Sequence, residues 1–376
     1  MISRFFLALG LAVLMVATGF GSYLYLGGRQ SKVAVAPQKP TQASPRPDAF
    51  VLPGTLYIAQ AGAIYSLSAG RFHPLTPQDG WTQPAIVPGA DYLVAVKRSQ
   101  QFSDVYVVSR FGQVERQLTN NSGPSYDTSL SHWSFYPHLN DDRTILFMSY
   151  DEPKYGYDVN LSVWAVPYGG TMRQARLWTN SNDYTGGDME PIPVGSGLIY
   201  TKYDYGGPPL FNLIGQLFLT VQPGSDGRAL TSIDDNCLQP SMSPNGHEIA
   251  MICTHGKQES FLMIASFDGS TIGPLQAVIT DQLVAQPTWA PDGSGIAYLA
   301  PSSPAGPFQL WFLPVNAYHP PPPSPIPTPT PTPGGPYSGQ LPSPTPSPAP
   351  PPVVIKPIQI TTNLGFDASS PMAWAG

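Results

Sequence analysis

The chain has 376 residues and a net charge of −6, and only 11% of its side chains are charged. Its 18 Lys and Arg residues are scattered, which excludes a nucleic-acid surface, since that needs basic groups concentrated on one face. The 46 Pro and 36 Gly mark many turns, the 19 Tyr, 16 Phe and 7 Trp favour strands, and no helical periodicity follows residue 26, so the folded part is expected to be all-β.

In chain order, residues 1–4 form a short cytoplasmic end, closed by Arg4. "FFLALGLAVLMVATGFGSYLYL", residues 5–26, follows without a charge. At helical rise this run spans roughly 33 Å, enough to cross a bilayer. Two readings compete: a transmembrane signal anchor, or a cleaved signal peptide with Ala17-Thr18-Gly19 at the cleavage site. The anchor is favoured because the apolar run continues to Leu26, where a cleavage region should turn polar. Either reading places the rest of the chain outside the cytoplasm, at the cell surface or in the periplasm, and the anchor makes it a single-pass protein of the cell membrane. Residues 27–52 are a proline-rich stalk, with too few large apolar groups to fold.

From residue 53 the chain repeats itself. "QPTWAPDGSGIAYLA" (286–300) echoes "QPSMSPNGHEIAMIC" (239–253), and weaker copies begin at Pro84, Pro137 and Pro191, with a truncated one at Pro371. Each unit opens with a proline-marked strand a, turns through a Pro-Asp-Gly type sequence into strand b, continues in an apolar strand c such as "FQLWFLP", and closes at strand d with Leu-Thr or Ile-Thr. The prolines are spaced by 53, 54, 49, 47 and 84 residues; the last interval holds a proline-rich insertion at 319–352, expected to be exposed and disordered.

Six units of four antiparallel strands are the pattern of a six-bladed β-propeller, because a blade with two apolar faces buries them only against neighbours on both sides. "TLYIAQ" (55–60) matches strand b but has no strand a before it, and the missing strand stands at the C-terminus, at Pro371–Ala375. The last residues are therefore expected to complete the first blade and close the ring.

These repeats, clearest in "PTWAPDGSGIAYLA" and "PSMSPNGHEIAMI" with their closing Ile-Thr and Leu-Thr, resemble those of TolB-like β-propellers, the WD-like repeat family, over about residues 54–376. The resemblance implies a periplasmic or cell-surface domain that binds proteins through one face and the central channel. The same repeat occurs in prolyl-oligopeptidase-type peptidases, but this chain has no room for their hydrolase domain.

Cys237 and Cys253 lie symmetrically about the Pro244-Asn245-Gly246 turn, so they should face each other across one hairpin. A disulfide is expected there, with two buried thiols as the alternative. No nucleophile elbow, metal-spaced histidines, phosphate loop or cofactor motif is present. The remaining candidate is the face carrying the d-to-a connections, where Trp81, Asp127, Trp133, Tyr136, Asp183, Tyr184, Asp188, Glu190, Asp234 and Asp235 mix carboxylates with aromatics. Such a face suits a basic peptide segment, a sugar or a cation, although turns need Asp anyway. The favoured expectation is a non-catalytic binding or scaffold module for a protein or cell-envelope partner. The alternatives are a carbohydrate or cell-wall binding module and a metal-dependent lyase or lactonase.

Overall fold

The structure is a computed structural model that describes residues 50–124, 127–151, 160–182, 185–205, 213–255, 259–318 and 356–376. The apolar segment 5–26, nearly all of the stalk, the proline-rich insertion, Asp183 and Tyr184 lie outside the described residues. Among the described residues no helix is long and apolar enough to cross a membrane.

Six four-stranded antiparallel sheets make up the fold. Blade two is a complete example, with strand a at Trp81–Ile86, b at Tyr92–Arg98, c at Ser103–Ser109 and d at Val114–Gln117. The innermost strands of blades three to six are Ser134–Leu139, Asp188–Val194, Cys237–Met242 and Ala285–Trp289. In blade one the innermost strand is Ala373–Ala375, hydrogen-bonded to Thr55–Gln60 with Leu56 opposite Trp374 and Tyr57 opposite Ala373. The two ends of the domain thus share one sheet, and the Trp374 indole Nε1–H donates to Pro53 O at 2.6 Å. This is the ring closure expected from the displaced strand.

The apolar alternation of each strand fills the space between sheets. Tyr57 and Ile64 of blade one meet Leu93 and Val108 of blade two, and Ile252 and Leu262 of blade five meet Ile296 and Tyr298 of blade six. Blades six and one close the circle through Leu299 and Phe312 against Leu56 and Trp374. Each fully buried side chain of this kind contributes about 1.5–3 kcal/mol. No blade has this burial alone, so the ring is the folding unit.

The repeated residues have local tasks. In the a-to-b turn of blade five, Gly246 adopts φ 73° and its N–H donates to Ser243 O at 2.9 Å, while Asn245 Oδ1 accepts from His247 N–H at 3.0 Å. The threonine of the Leu-Thr marker accepts from the strand-c backbone: Ile64 N–H to Thr76, Val105 N–H to Thr119, Val163 N–H to Thr179, Leu217 N–H to Thr231 and Leu310 N–H to Thr361, all at 2.9–3.0 Å. A buried N–H left without that hydroxyl would cost about 1–3 kcal/mol, which accounts for the recurrence of threonine.

In blades two to six, strand a carries a bulge at its proline. Gln83 and Pro84 fall between the pairs Thr82–Val96 and Ala85–Val94, where strand b supplies a single residue, and the other four strands shift register at the equivalent place. The residue before the proline has positive φ each time: Gln83 49°, Tyr136 51°, Glu190 57°, Gln239 55° and Gln286 51°. The bulge turns this residue and its proline toward the axis.

Candidate functional site

A channel of about 260 Å³ runs along the axis, and its wall contains all six marker prolines, Pro84, Pro137, Pro191, Pro240, Pro287 and Pro371. Proline suits the free edge of a strand because it presents no unpaired N–H. The bulge also turns the N–H of the preceding residue away from its own ladder, and that donor is met from the neighbouring blade. Gln83 N–H donates to Ser370 Oγ, Tyr136 N–H to Gln83 Oε1, Gln239 N–H to Glu190 Oε2 and Gln286 N–H to Gln239 Oε1, each at 2.8 Å. These bonds form a belt of side chains joining successive blades around the channel. It is interrupted between Tyr136 and Glu190, and at Ser370, whose N–H donates to Asp367 O at 3.1 Å instead.

Glu190 is the acidic member of the belt. Besides Gln239 N–H, its Oε2 accepts from the Thr201 hydroxyl at 2.9 Å. Burial pushes its carboxyl up to about 7, against the pull of those two donors. Across the interruption stand Tyr136, whose phenol is raised by burial and by the charge of Glu190, and His138, which burial lowers to about 4 and keeps neutral near pH 7.

From Tyr136 a track of rings leads to the face of the d-to-a connections. Phe135 lies 6.3 Å from Tyr136, and Trp133 stacks on Phe135 at 5.8 Å and 12°. The Arg98 guanidinium sits over the Trp133 ring at 5.7 Å. Three residues expected on the binding face, Trp133, Tyr136 and Glu190, therefore belong to one path from rim to channel.

The other predicted residues do different work. Trp81 is 3% exposed and packs edge-on against Tyr106 at 5.3 Å between blades one and two, so its ring is not offered to a ligand. Asp188 is fully buried, with Oδ1 3.5 Å from Lys202 Nζ; burial pushes its carboxyl up to about 6 while Lys202 pulls the other way. Lys202 Nζ also donates to Asn180 O at 2.6 Å and lies 3.6 Å from Asp226. Asp188 is thus a stapling group between strands a and b, not a surface ligand, because the bulge at Glu190 puts the two carboxylates in different surroundings. Asp127 accepts from Ser129 N–H at 3.1 Å, and Asp235 accepts from Ser232 N–H at 3.2 Å, capping short 3₁₀ turns. Asp234 is exposed in the same turn as Asp235. The Gln83, Gln239 and Gln286 belt is what sequence reasoning missed, although Gln-Pro stood in the marker itself.

Cys237 and Cys253 pair directly in the register of blade five, with Cα atoms 4.0 Å apart and their sulfurs joined at 2.04 Å. Among the described residues no three His, Cys, Asp or Glu side chains come together as a metal-ligand set.

No family model matches the chain, and no curated protein matches it. Solved structures do. TolB from Acinetobacter baumannii superposes with a TM-score of 0.51 at 15% identity, over 69% of this chain and 61% of that one. A putative TolB from Agrobacterium tumefaciens gives 0.46 at 14%, over 70% and 85%, and a puromycin-hydrolyzing peptidase from Mycobacterium tuberculosis gives 0.43 at 11%, over 69% and 45%. At such identities the likeness is one of fold. The chain is a six-bladed β-propeller of four-stranded blades, closed by its C-terminal strand. In fold it is similar to the TolB structure.

Proposed function

We propose that this propeller is a non-catalytic binding module, held outside the cytoplasm by the 5–26 segment as a membrane anchor, and that it engages a protein through the face of the d-to-a connections and the channel mouth. The observation that carries this reading is the continuous Arg98–Trp133–Phe135–Tyr136 path into the channel. Aromatic and arginine side chains are the groups that anchor protein interfaces. A sugar-stacking role for Trp133 is less well supported, because its ring already carries Arg98 and Phe135. The likeness of the fold to TolB is consistent with a protein-binding propeller.

A photo-crosslinking residue placed at Leu130 in the full chain, in its native membranes, tests the reading. Leu130 is 51% exposed in the d-to-a connection of blade three, and Phe111, 75% exposed in a c-to-d turn on the opposite face, is the control position. A protein adduct is expected from Leu130 and not from Phe111, and it should be lost on Trp133→Ala. Equal adducts from both positions, or none from Leu130, would sink the proposal. Retention of the chain in the membrane pellet at alkaline pH checks the anchor separately.

A further inference from the structure

The six blades provide an internal control for Glu190. At the equivalent bulge, blades two, five and six place Gln83, Gln239 and Gln286. Gln83 and Gln239 accept the next blade's N–H through a neutral amide oxygen, at the same 2.8 Å distance that Glu190 uses. The belt therefore does not require a charge at residue 190. A charge there is costly, since the carboxyl gives up hydration on entering the wall. Its Oε2 carries both hydrogen bonds from Gln239 and Thr201, and Oε1 takes part in none among the described residues.

The rest of the described channel wall points the same way. Its titratable groups are Glu190, Tyr136 and His138, with Tyr203 close behind, and it contains no Lys or Arg. Burial holds both phenols in their neutral form and keeps His138 uncharged near pH 7. Among the described residues Glu190 is thus the one wall group that becomes charged when it ionises, and the 260 Å³ of the cavity suits one side chain or chain end rather than a folded domain.

We propose that Glu190 is the counter-ion for one protonated amine, the ammonium of a lysine side chain or of a chain N-terminus, inserted into the channel by the bound partner. This inference rests on the reading of the channel mouth as a protein-binding face, and it specifies the chemistry recognised there. The prolines direct hydrophobic rings at the inserted stem, the Arg98–Trp133 end of the track stays at the rim, and the ammonium reaches the open oxygen of Glu190. Tyr136 and His138, across the belt interruption, complete a neutral polar surround.

Calorimetric titration of the full chain with small probes decides it. Nα-acetyl-lysine methylamide carries only the ε-ammonium, glycyl-glycinamide carries only the α-ammonium, and Nα-acetyl-norleucine methylamide is the neutral match. Saturable binding of at least one amine is expected, with none of the norleucine probe, and the tighter amine identifies side chain or chain end as the source. Glu190→Gln, which places in blade four the residue that three other blades already hold there, should fold normally and weaken amine binding by about ten-fold or more. Ser241→Lys, which supplies an internal ammonium beside Gln239, should block the probes. Affinity should fall as pH drops through about 7, where Glu190 takes up its proton. Equal binding of the norleucine probe, an unchanged affinity in either variant, or no saturable binding of either amine would overturn the inference. Amine binding without a Leu130 adduct removes only the protein-partner reading, and an adduct without amine binding removes only this one.

Discussion

Blades four and five solve one problem in two ways. Strand a must be fixed to strand b at its first residue, just before the bulge. In blade five that pair is Cys237 opposite Cys253, joined covalently; in blade four it is Asp188 opposite Lys202, a buried ion pair at 3.5 Å. The disulfide restrains the unfolded chain and asks nothing of the surroundings. The ion pair has to overcome the desolvation of two charges, and the raised carboxyl of Asp188 shows that Lys202 compensates only in part. The same register position can hold either, so this joint is set by the fold and its chemistry is free to vary.

The comparison has meaning only within a closed ring, and the largest effect is expected from opening it. Deleting residues 370–376 removes the strand opposite Leu56 and Tyr57 together with the Ser370 acceptor of the belt. Cooperative thermal unfolding should disappear, and unchanged melting would disprove the closure. Breaking the joint of blade five comes next. Reduction, or Cys237→Ser with Cys253→Ser, should lower stability by about 3 kcal/mol for a pairing across 16 residues, read from denaturant midpoints with intact mass confirming the bond.

Asp188→Ala should cost roughly 2 kcal/mol. That is less than the ~3–5 kcal/mol of a fully stranded charge, because Asp226 stays 3.6 Å from Lys202. Asp188→Cys with Lys202→Cys sharpens the comparison, as it gives blade four the joint of blade five. It should form a disulfide on oxidation and exceed Asp188→Ala by about 3 kcal/mol. The last effect is in pH. In the unfolded chain Asp188 and Glu190 titrate near 3.8 and 4.5, and in the folded chain at about 6 and about 7. The folded state therefore holds more protons in that window, and stability falls as pH rises through it. Glu190→Gln should remove the part of that decline lying between pH 4.5 and about 7, up to about 3 kcal/mol over the window, read from denaturant midpoints at successive pH values.

The ring, the strand order and the closing tail were legible because each leaves a one-dimensional trace: a marker proline, a Leu-Thr, a strand absent at one end and present at the other. Cys237 and Cys253 also stood out, being symmetric about a recognisable turn. The roles of Trp81 and Asp188 were hidden by the bulge. One inserted residue exchanges inward and outward positions, so loop-adjacent residues that look exposed turn into the packing between blades. The belt was hidden for a different reason. Gln83, Gln239 and Gln286 meet partners a whole repeat away, and a sequence alone does not tell a recurring glutamine that accepts an N–H from one that is merely tolerated. Asp127 and Asp235 are turn formers, the ordinary task of aspartate near short 3₁₀ segments.

The prolines that line the axis have one more effect. A visiting polypeptide often docks on a β-protein by adding itself to an exposed sheet margin, borrowing main-chain donors. Here the inner margin of every blade has a residue with no donor to lend, and in four of the blades the donor beside it is already committed to a neighbour. At these positions along the axis strand addition finds no free donor, which favours sorting what enters by its termini and side groups instead.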